Sequence, residues 1–396
     1  MKFVLYLTAL LLCISPASAE VRESEFGRDE GYPYEMGWPF RTTPKLRHGA
    51  LTGKGLVQSQ KSAHPFWIPA VTPASVLPKA APSFLLEADA KNLMARNTIM
   101  AMLLIKNGAV VFERYQYGTA ADTLFDGQSI AKTLTALSVG ALVDDGLLKS
   151  TALRMSDLIP SLRDSPIGLA TVRQALQMQC GHQFKWEDAG ADASAGKYAG
   201  VKFAAQASGR SRDLYAYFKT LPPTPTGSKF SYDPHCSDAL SMLVTQLTGK
   251  NLRQYFESRV WQRLGPENRA AWLSPVNHPE LTSGANTFYA SLRDYARIAL
   301  MFVDEGRANH AQVLSADWMH LMHTDVVEVG DYPSNFKRYG YQTWVRDKTP
   351  DSWFAGLGNY GQRFYIDSKR KNAMILFALD ESHIKESDLF WERFKR

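Results

Sequence analysis

Ser129 and Lys132 stand three residues apart in Ser129-Ile130-Ala131-Lys132, at the head of a run whose apolar residues Leu134, Leu137, Ala141 and Leu142 recur at helical spacing. On a helix, positions three apart share a face one turn above each other, so the amine can reach the hydroxyl. A serine hydroxyl is a weak nucleophile at neutral pH and needs an adjacent base. Burial among neighbours such as Leu134 and Leu137 penalises the charged ammonium, lowers the lysine pKa and makes it a proton acceptor. A helix N-terminus also favours an anion formed there. The chemistry indicated is acyl transfer through a serine ester. The tetrapeptide alone arises by chance about once or twice in a chain this long, as an ordinary surface Ser and Lys, so the surrounding elements decide its weight.

Those elements are legible in outline. Phe84 to Met94 patterns as a helix, and Ile99 to Ile105 and Ala109 to Tyr115 are apolar runs joined by Lys106-Asn107-Gly108, a hairpin signature. Asp144-Asp145-Gly146 ends the run that Ser129 opens, which places Ser129 at or just inside a helix N-terminus. From about 147 to 325 helical patterns dominate: Ala239 to Leu247 before Gly249, Leu252 to Leu264 before Gly265, Leu292 to Asp304 before Gly306. Short aromatic and β-branched runs follow at Tyr341 to Val345, Arg363 to Ile366 and Met374 to Leu379, then an amphipathic helix around Glu386 to Phe394. The fold class expected is α/β (α+β): a mixed domain over 83–396, its antiparallel sheet assembled from both termini and flanked by helices, with a mostly helical insert at about 147–325. Residues 20–82, rich in Pro, Gly and aromatics and without periodicity, are expected to form an extended arm packed on that body.

Composition bounds the setting. With 396 residues, 45% of them hydrophobic, the chain can bury a large core. Lys2, the apolar run Phe3 to Ile14 and Ala17-Ser18-Ala19 pattern as a signal peptide over 1–19, so the protein is expected to be exported, periplasmic or secreted, and to begin at Glu20. The run is shorter than the roughly 18 residues a membrane helix needs, so no transmembrane anchor is expected in the mature form. Leu12 before Cys13 disfavours lipid attachment. Cys180 and Cys236 then remain, an even count in an oxidising compartment, open either to a disulfide or to two buried thiols. The net charge of +6 is scattered apart from Lys369-Arg370-Lys371 and the C-terminal basic residues, which gives nucleic-acid binding no support. The nine histidines lack metal-ligand spacing, and no metal or organic cofactor is expected.

In this order of elements the chain resembles the serine β-lactamase and penicillin-binding-protein superfamily, and within it the class C β-lactamase-related branch of family VIII esterases and 6-aminohexanoate-dimer hydrolases. The likeness covers about residues 84 to 380. Thr171 to Leu176 leading to Cys180-Gly181 and Trp186-Glu187 is similar to the family's helix before a Ser-Gly turn and Trp-x-Glu, with Cys180 replacing the Ser. Phe230-Ser231-Tyr232 before the helix ending at Gly249 resembles the family's second motif, Tyr-x-Asn, with Pro234 in place of the Asn. Tyr339-Gly340-Tyr341-Gln342-Thr343-Trp344 and Gly356 to Gln362 are similar to the third motif and the segment before it in the aminohexanoate-hydrolase branch; there is no Lys-Thr-Gly. The resemblance implies a catalytic set of Ser129, Lys132 and Tyr232, with Tyr232 as phenolate or shared-proton partner. It implies an oxyanion hole from the amides of Ser129 and Asn359, and substrate contacts from Trp186, Gly358, Tyr360 and Gly361. Ser237 is expected as a helix N-cap.

The activity implied is cleavage of a small-molecule ester or amide, with β-lactam-like substrates less favoured because the Lys-Thr-Gly cation is missing. β-Lactamase or D-alanyl-D-alanine carboxypeptidase action and a catalytically silent periplasmic binding relative are the alternatives. An α/β-hydrolase using Asp380 and His383 would also employ Ser129, since Gly127-Gln128-Ser129-Ile130-Ala131 approximates Gly-x-Ser-x-Gly, but the alternating strands and helices of that fold are missing. Cleft walls are expected from 182–215 and 280–290, including Phe203, Tyr215 and Phe288. Oligomeric state is not legible.

Overall fold

The computed structural model describes residues 63–396 other than 118, 182–228, 276–281, 287, 333, 348, 350 and 351; the leader, most of the arm, Trp186, Phe203 and Tyr215 lie outside the described residues. Its strands begin with β1 (Ala63–Ile68), β2 (Ile99–Lys106), β3 (Ala109–Tyr115), β4 (Phe125–Asp126), β5 (Ala270–Pro275), β6 (Phe288–Ala290), β7 (Arg307–Ala308) and β8 (Ala311–Gln312). They continue with β9 (Val327–Glu328), β10 (Arg338–Tyr339), β11 (Trp344–Val345), β12 (Phe354–Gly358), β13 (Gln362–Asp367) and β14 (Asn372–Ala378). The main helices are α1 (Phe84–Ala95), α2 (Ile130–Asp144), α3 (Pro234–Thr248), α4 (Leu252–Arg259), α5 (Leu292–Val303) and α6 (Ile384–Phe394).

Asn107 and Gly108, at φ 50° and 78°, turn β2 back on β3, and β14 joins the other side of β2 antiparallel, pairing Met374 with Leu104. The hairpin from the N-terminal part is thus completed by C-terminal strands, in the order β3-β2-β14-β13-β12-β11-β10-β9. Alternate residues of β13 face opposite layers. Phe364 meets Phe302 of α5, while Tyr365 meets Trp391 of α6. β2 and β14 are almost continuously apolar and buried, as strands covered on both faces must be.

The helical stretch expected over 147–325 also carries strands. β5 and β6 pair with each other and join β1 and β4 in a second sheet of order β1-β5-β6-β4. The described part of the arm therefore opens with a strand, Phe66 opposite Trp272 and Ile68 opposite Ala270, and continues without regular structure to α1. Helix ends follow glycine as expected at Gly249 and Gly265, both left-handed caps. The span from Leu252 to Leu264 is not one helix: Val260 leaves helical geometry after α4, and a short 3-10 turn packs Trp261 against Phe256 and Phe288. Ser237 lies inside α3 and not at its start. Asp233 is the N-cap, its carboxylate accepting the His235 amide at 2.9 Å, with Pro234 at the first helical position where a missing N–H costs nothing.

Candidate active site

α2 is buried along nearly its whole length and runs through the core. Gly140 allows this: a Cβ there would lie 2.2 Å from the ring of Trp318, whose indole N–H donates to the Ala136 carbonyl at 3.1 Å. At the head of α2, Asp126 accepts the Gln128 amide at 2.8 Å and also receives the Gln128 side chain. These bonds hold Gln128 at φ 51°, an uncommon conformation for a residue other than glycine, and present Ser129 in helical geometry on a half-buried corner.

One turn on, Lys132 Nζ lies 3.0 Å from Ser129 Oγ and donates to the Ala285 carbonyl at 2.8 Å. Lys132 is 2% exposed, and burial lowers its pKa to about 7; the carboxylates of Asp238 and Asp233 oppose that lowering in part. Asp238 is fully buried on α3, and burial raises it to about 6. Its Oδ1 accepts from Ser283 Oγ at 2.9 Å and the Gly284 amide at 3.0 Å, while Oδ2 is buried without a partner. Asp238 thereby pins the 283–285 segment whose last carbonyl receives Lys132. No motif in the sequence marks Asp238 as a site residue; the available signal is an acid among the residues of α3 that pack inward.

Tyr232 immediately precedes the Asp233 cap, and its ring lies 5.1 Å from Lys132 Nζ. It packs against Trp344 at 5.2 Å, Tyr332 at 5.9 Å and Tyr339 at 6.1 Å between centroids. Burial raises the phenol above its ordinary value, a shift that hydrogen bonding to Ser129 and Trp344 only partly offsets. The group facing Ser129 is thus a neutral phenol, and of the two roles expected for Tyr232 the phenolate is the one this environment opposes.

β12 closes the site. A Cβ on Gly358 would lie 2.4 Å from the Gly127 carbonyl, so only glycine lets β12 approach the chain entering Ser129 this closely. Ser129, Tyr232, Gly358 and Asn359 line one cavity of about 570 Å³, whose wall also includes Tyr332, Phe336, Trp344 and Arg363 among the described residues. Tyr360 and Gly361 do not line it. Past Asn359 the chain enters a left-handed turn, φ 60° and 84°, which carries both residues away, and a Cβ on Gly361 would strike the Asp380 carbonyl and the His383 ring at 2.3 Å. Phe288 is also no cleft residue, being enclosed by Trp261, Trp272 and Tyr295. The apolar wall comes instead from Tyr332, Phe336 and Trp344.

His383 is buried behind that turn, Nε2 3.0 Å from the Gly361 carbonyl and Nδ1 2.8 Å from Ser387 Oγ, and burial lowers it to about 3. Asp380 accepts from Thr98 Oγ1. Neither lines the cavity, and the main sheet is antiparallel, so the α/β-hydrolase alternative has no support in the fold. Cys180 and Cys236 are joined in a disulfide with their Cα atoms 5.8 Å apart, and the Ser231 amide donates to the Met178 carbonyl at 2.9 Å, fixing the approach to Tyr232. Among the described residues no three His, Cys, Asp or Glu side chains gather as a metal ligand set, and no helix is long and apolar enough to cross a membrane.

Comparison with known proteins places this arrangement in context. A family model described as Beta-lactamase matches residues 86–387. The 6-aminohexanoate-dimer hydrolase of Paenarthrobacter ureafaciens is 24% identical over 288 residues, covering 69% of this chain and 71% of the relative. A solved Bacillus anthracis protein, assigned provisionally as a 6-aminohexanoate-dimer hydrolase, superposes with a TM-score of 0.76 at 20% identity, over 91% of this chain and 94% of that one. A family VIII carboxylesterase superposes with a TM-score of 0.56 at 16% identity, over 77% and 94% of the two chains.

Proposed function

The chain belongs to the beta-lactamase family, and from that premise we propose that it is a serine hydrolase cleaving an ester or amide bond of a small molecule through an acyl-enzyme on Ser129. The observation that carries the reading is the 3.0 Å contact between Ser129 Oγ and the nearly inaccessible Lys132, whose pKa near 7 leaves it substantially unprotonated at neutral pH. Neutral Lys132 takes the Ser129 proton as Oγ attacks the substrate carbonyl. The amides of Ser129 and Asn359 receive the developing oxyanion, a contribution on the order of 3 kcal/mol for each donor. The Tyr232 phenol then gives its proton to the departing alkoxide or amine and is restored from Lys132. Water enters, gives a proton back through the same pair, and releases the acid and free Ser129.

The choice of ester or amide over β-lactam is supported by the relatives, a 6-aminohexanoate-dimer hydrolase and a carboxylesterase, and by the absence of Lys-Thr-Gly. Export is part of the proposal, supported by the 1–19 pattern and by the Cys180–Cys236 bond, which suits an oxidising compartment. The test is intact-mass analysis of the mature protein after exposure to a fluorophosphonate, to p-nitrophenyl esters and to a penicillin, with Ser129→Ala alongside. An adduct or turnover that disappears in the variant is the expected result. Folded wild-type protein that never forms an adduct would make it a silent binding relative.

A further inference from the structure

The first turn of α3 holds more charge than the Ser129 chemistry has so far used. Pro234 brings no polar side chain, and the next residue, His235, turns into the protein and is 3% exposed. Its Nδ1 lies 2.8 Å from Oδ1 of Asp233, and the same oxygen accepts the His235 amide at 2.9 Å. Asp233 is fully buried, as is Asp238 one turn beyond His235. α2 packs on α3, and both carboxylates act on Lys132, each favouring its ammonium. His235 acts on Asp238 in turn: of the influences that oppose the rise of Asp238 on burial, the His235 charge is the largest, ahead of the Ser283 hydrogen bond and Lys132. Tyr232 adjoins Asp233 as a neutral phenol. Charged side chains on the other elements packed on α3 are engaged elsewhere, Arg173 with Asp325, Arg253 with Glu257, Arg259 with Asp145, and Asp157 with the Arg154 amide.

Asp233, His235, Asp238 and Lys132 therefore titrate together, not one by one. Buried carboxylates are stable only with positive charge close by. Supplied by Lys132, that charge would keep the amine protonated and useless as a base for Ser129. Supplied by His235, it lets Lys132 give up its proton while the cluster still holds a cation. The 2.8 Å contact with Asp233 is the charge-assisted bond such an imidazolium would make.

We propose that His235, as an imidazolium paired with Asp233, is a positioning residue of the hydrolase: it offsets the carboxylates of α3, so that the Lys132 amine stays available as the neutral base. The inference rests on the serine-hydrolase reading of Lys132, and it adds to the reaction a residue that does not line the cavity.

The test reads Lys132 directly and needs no turnover. Full-length mature protein carrying lysine labelled with carbon-13 at Cε is titrated by NMR, and the Lys132 signal is identified by its loss in Lys132→Met. His235→Asn keeps a donor facing Asp233 and removes the charge. The Lys132 midpoint should then rise by roughly one pH unit, which lowers the neutral fraction at pH 7 about fivefold. The double variant Asp233→Asn, His235→Asn keeps an N-cap and removes both charges together, and it should bring the midpoint at least halfway back. A midpoint unmoved or lowered in folded His235→Asn would overturn the proposal, as would a rise that the double variant leaves in place, since repacking alone would then explain it. Should His235→Asn not fold, the wild-type spectrum with nitrogen-15 histidine decides, its His235 signals identified by their loss in the double variant: a doubly protonated ring at pH 7 is expected, and a neutral one overturns the proposal. Fluorophosphonate labelling judges the parent reading separately. Labelled Ser129 with an unmoved Lys132 sinks the role of His235 alone, whereas a moved Lys132 with Ser129 never labelled sinks the hydrolase and leaves only the coupled charges.

Discussion

Asp238→Asn isolates the electrostatic part of the proposed mechanism. Lys132 is held at about 7 mainly by burial, and the Asp238 charge pushes the other way. If neutral Lys132 is the base, the acid limb of kcat/KM follows its deprotonation. With a pKa of about 7 the neutral fraction is about 0.09 at pH 6 and about 0.91 at pH 8, so the wild-type rate constant should rise about tenfold across that interval. The asparagine side chain keeps an oxygen for the Ser283 hydroxyl and the Gly284 amide, now 2.9 and 3.0 Å from Oδ1, so the 283–285 segment keeps its anchor. What disappears is the charge that favours the ammonium. The Lys132 pKa should therefore fall further, moving the limb to lower pH by roughly one unit. At pH 7, where Asp238 with its pKa of about 6 is mostly ionised, the variant would then hold about nine-tenths of its lysine neutral against about half in the wild type. The assay is the pH profile of p-nitrophenyl ester hydrolysis between pH 5 and 9, with circular dichroism confirming the fold. A limb that stays in place, or moves upward, would refute the electrostatic argument; a lower plateau at an unchanged midpoint would assign Asp238 to segment positioning alone.

Lys132→Met should abolish turnover and raise thermal stability at pH 7 by up to about 4 kcal/mol, several degrees in Tm, because the folded state no longer disfavours a protonated amine. The sign follows from linkage: the folded pKa lies below the unfolded one, so wild-type stability rises between about pH 7 and 10.5 and the methionine advantage should shrink over that window. Melting curves at pH 7 and pH 9.5 check both parts. Tyr232→Phe should lower kcat by about 10²-fold to 10⁴-fold while fluorophosphonate still labels Ser129 slowly; an unchanged kcat would remove Tyr232 from proton transfer. Gly358→Ala should force β12 away from Gly127, given the 2.4 Å approach, and reduce kcat by at least about 10²-fold in a folded protein, read by steady-state kinetics. Expression in a secreting host should yield a mature mass beginning at Glu20, and a mass retaining residues 1–19 would withdraw the export proposal.

The sequence makes the Ser129–Lys132 pair, the 107–108 hairpin and the α2 helix plain, because each depends on residues close together in the chain. The second sheet was not legible. Ala63 to Ile68 and Ala270 to Pro275 contain proline and lack clean alternation, and they become strands only by pairing across some two hundred residues. Tyr341 to Val345 shows how tertiary contacts trim a strand pattern: Gln342 takes φ 56° and bonds Leu176, Thr133 and Ser237, leaving only Trp344 and Val345 to pair. Ser237 looked like a cap because small hydroxyls favour caps, yet Asp233 before Pro234 carried the stronger signal. Asp238 and His235 were invisible as site residues. Their weight comes from burial and from the charges packed around them, which spacing does not encode.

The Cys180–Cys236 bond and the Met178–Ser231 hydrogen bond tie the chain together on both sides of residues 182–228. Tyr232 therefore inherits its place in part from the staple and from the α3 cap. That gives the reaction centre a redox dependence: a reductant that opens the staple would leave the Met178–Ser231 hydrogen bond to hold the approach to Tyr232.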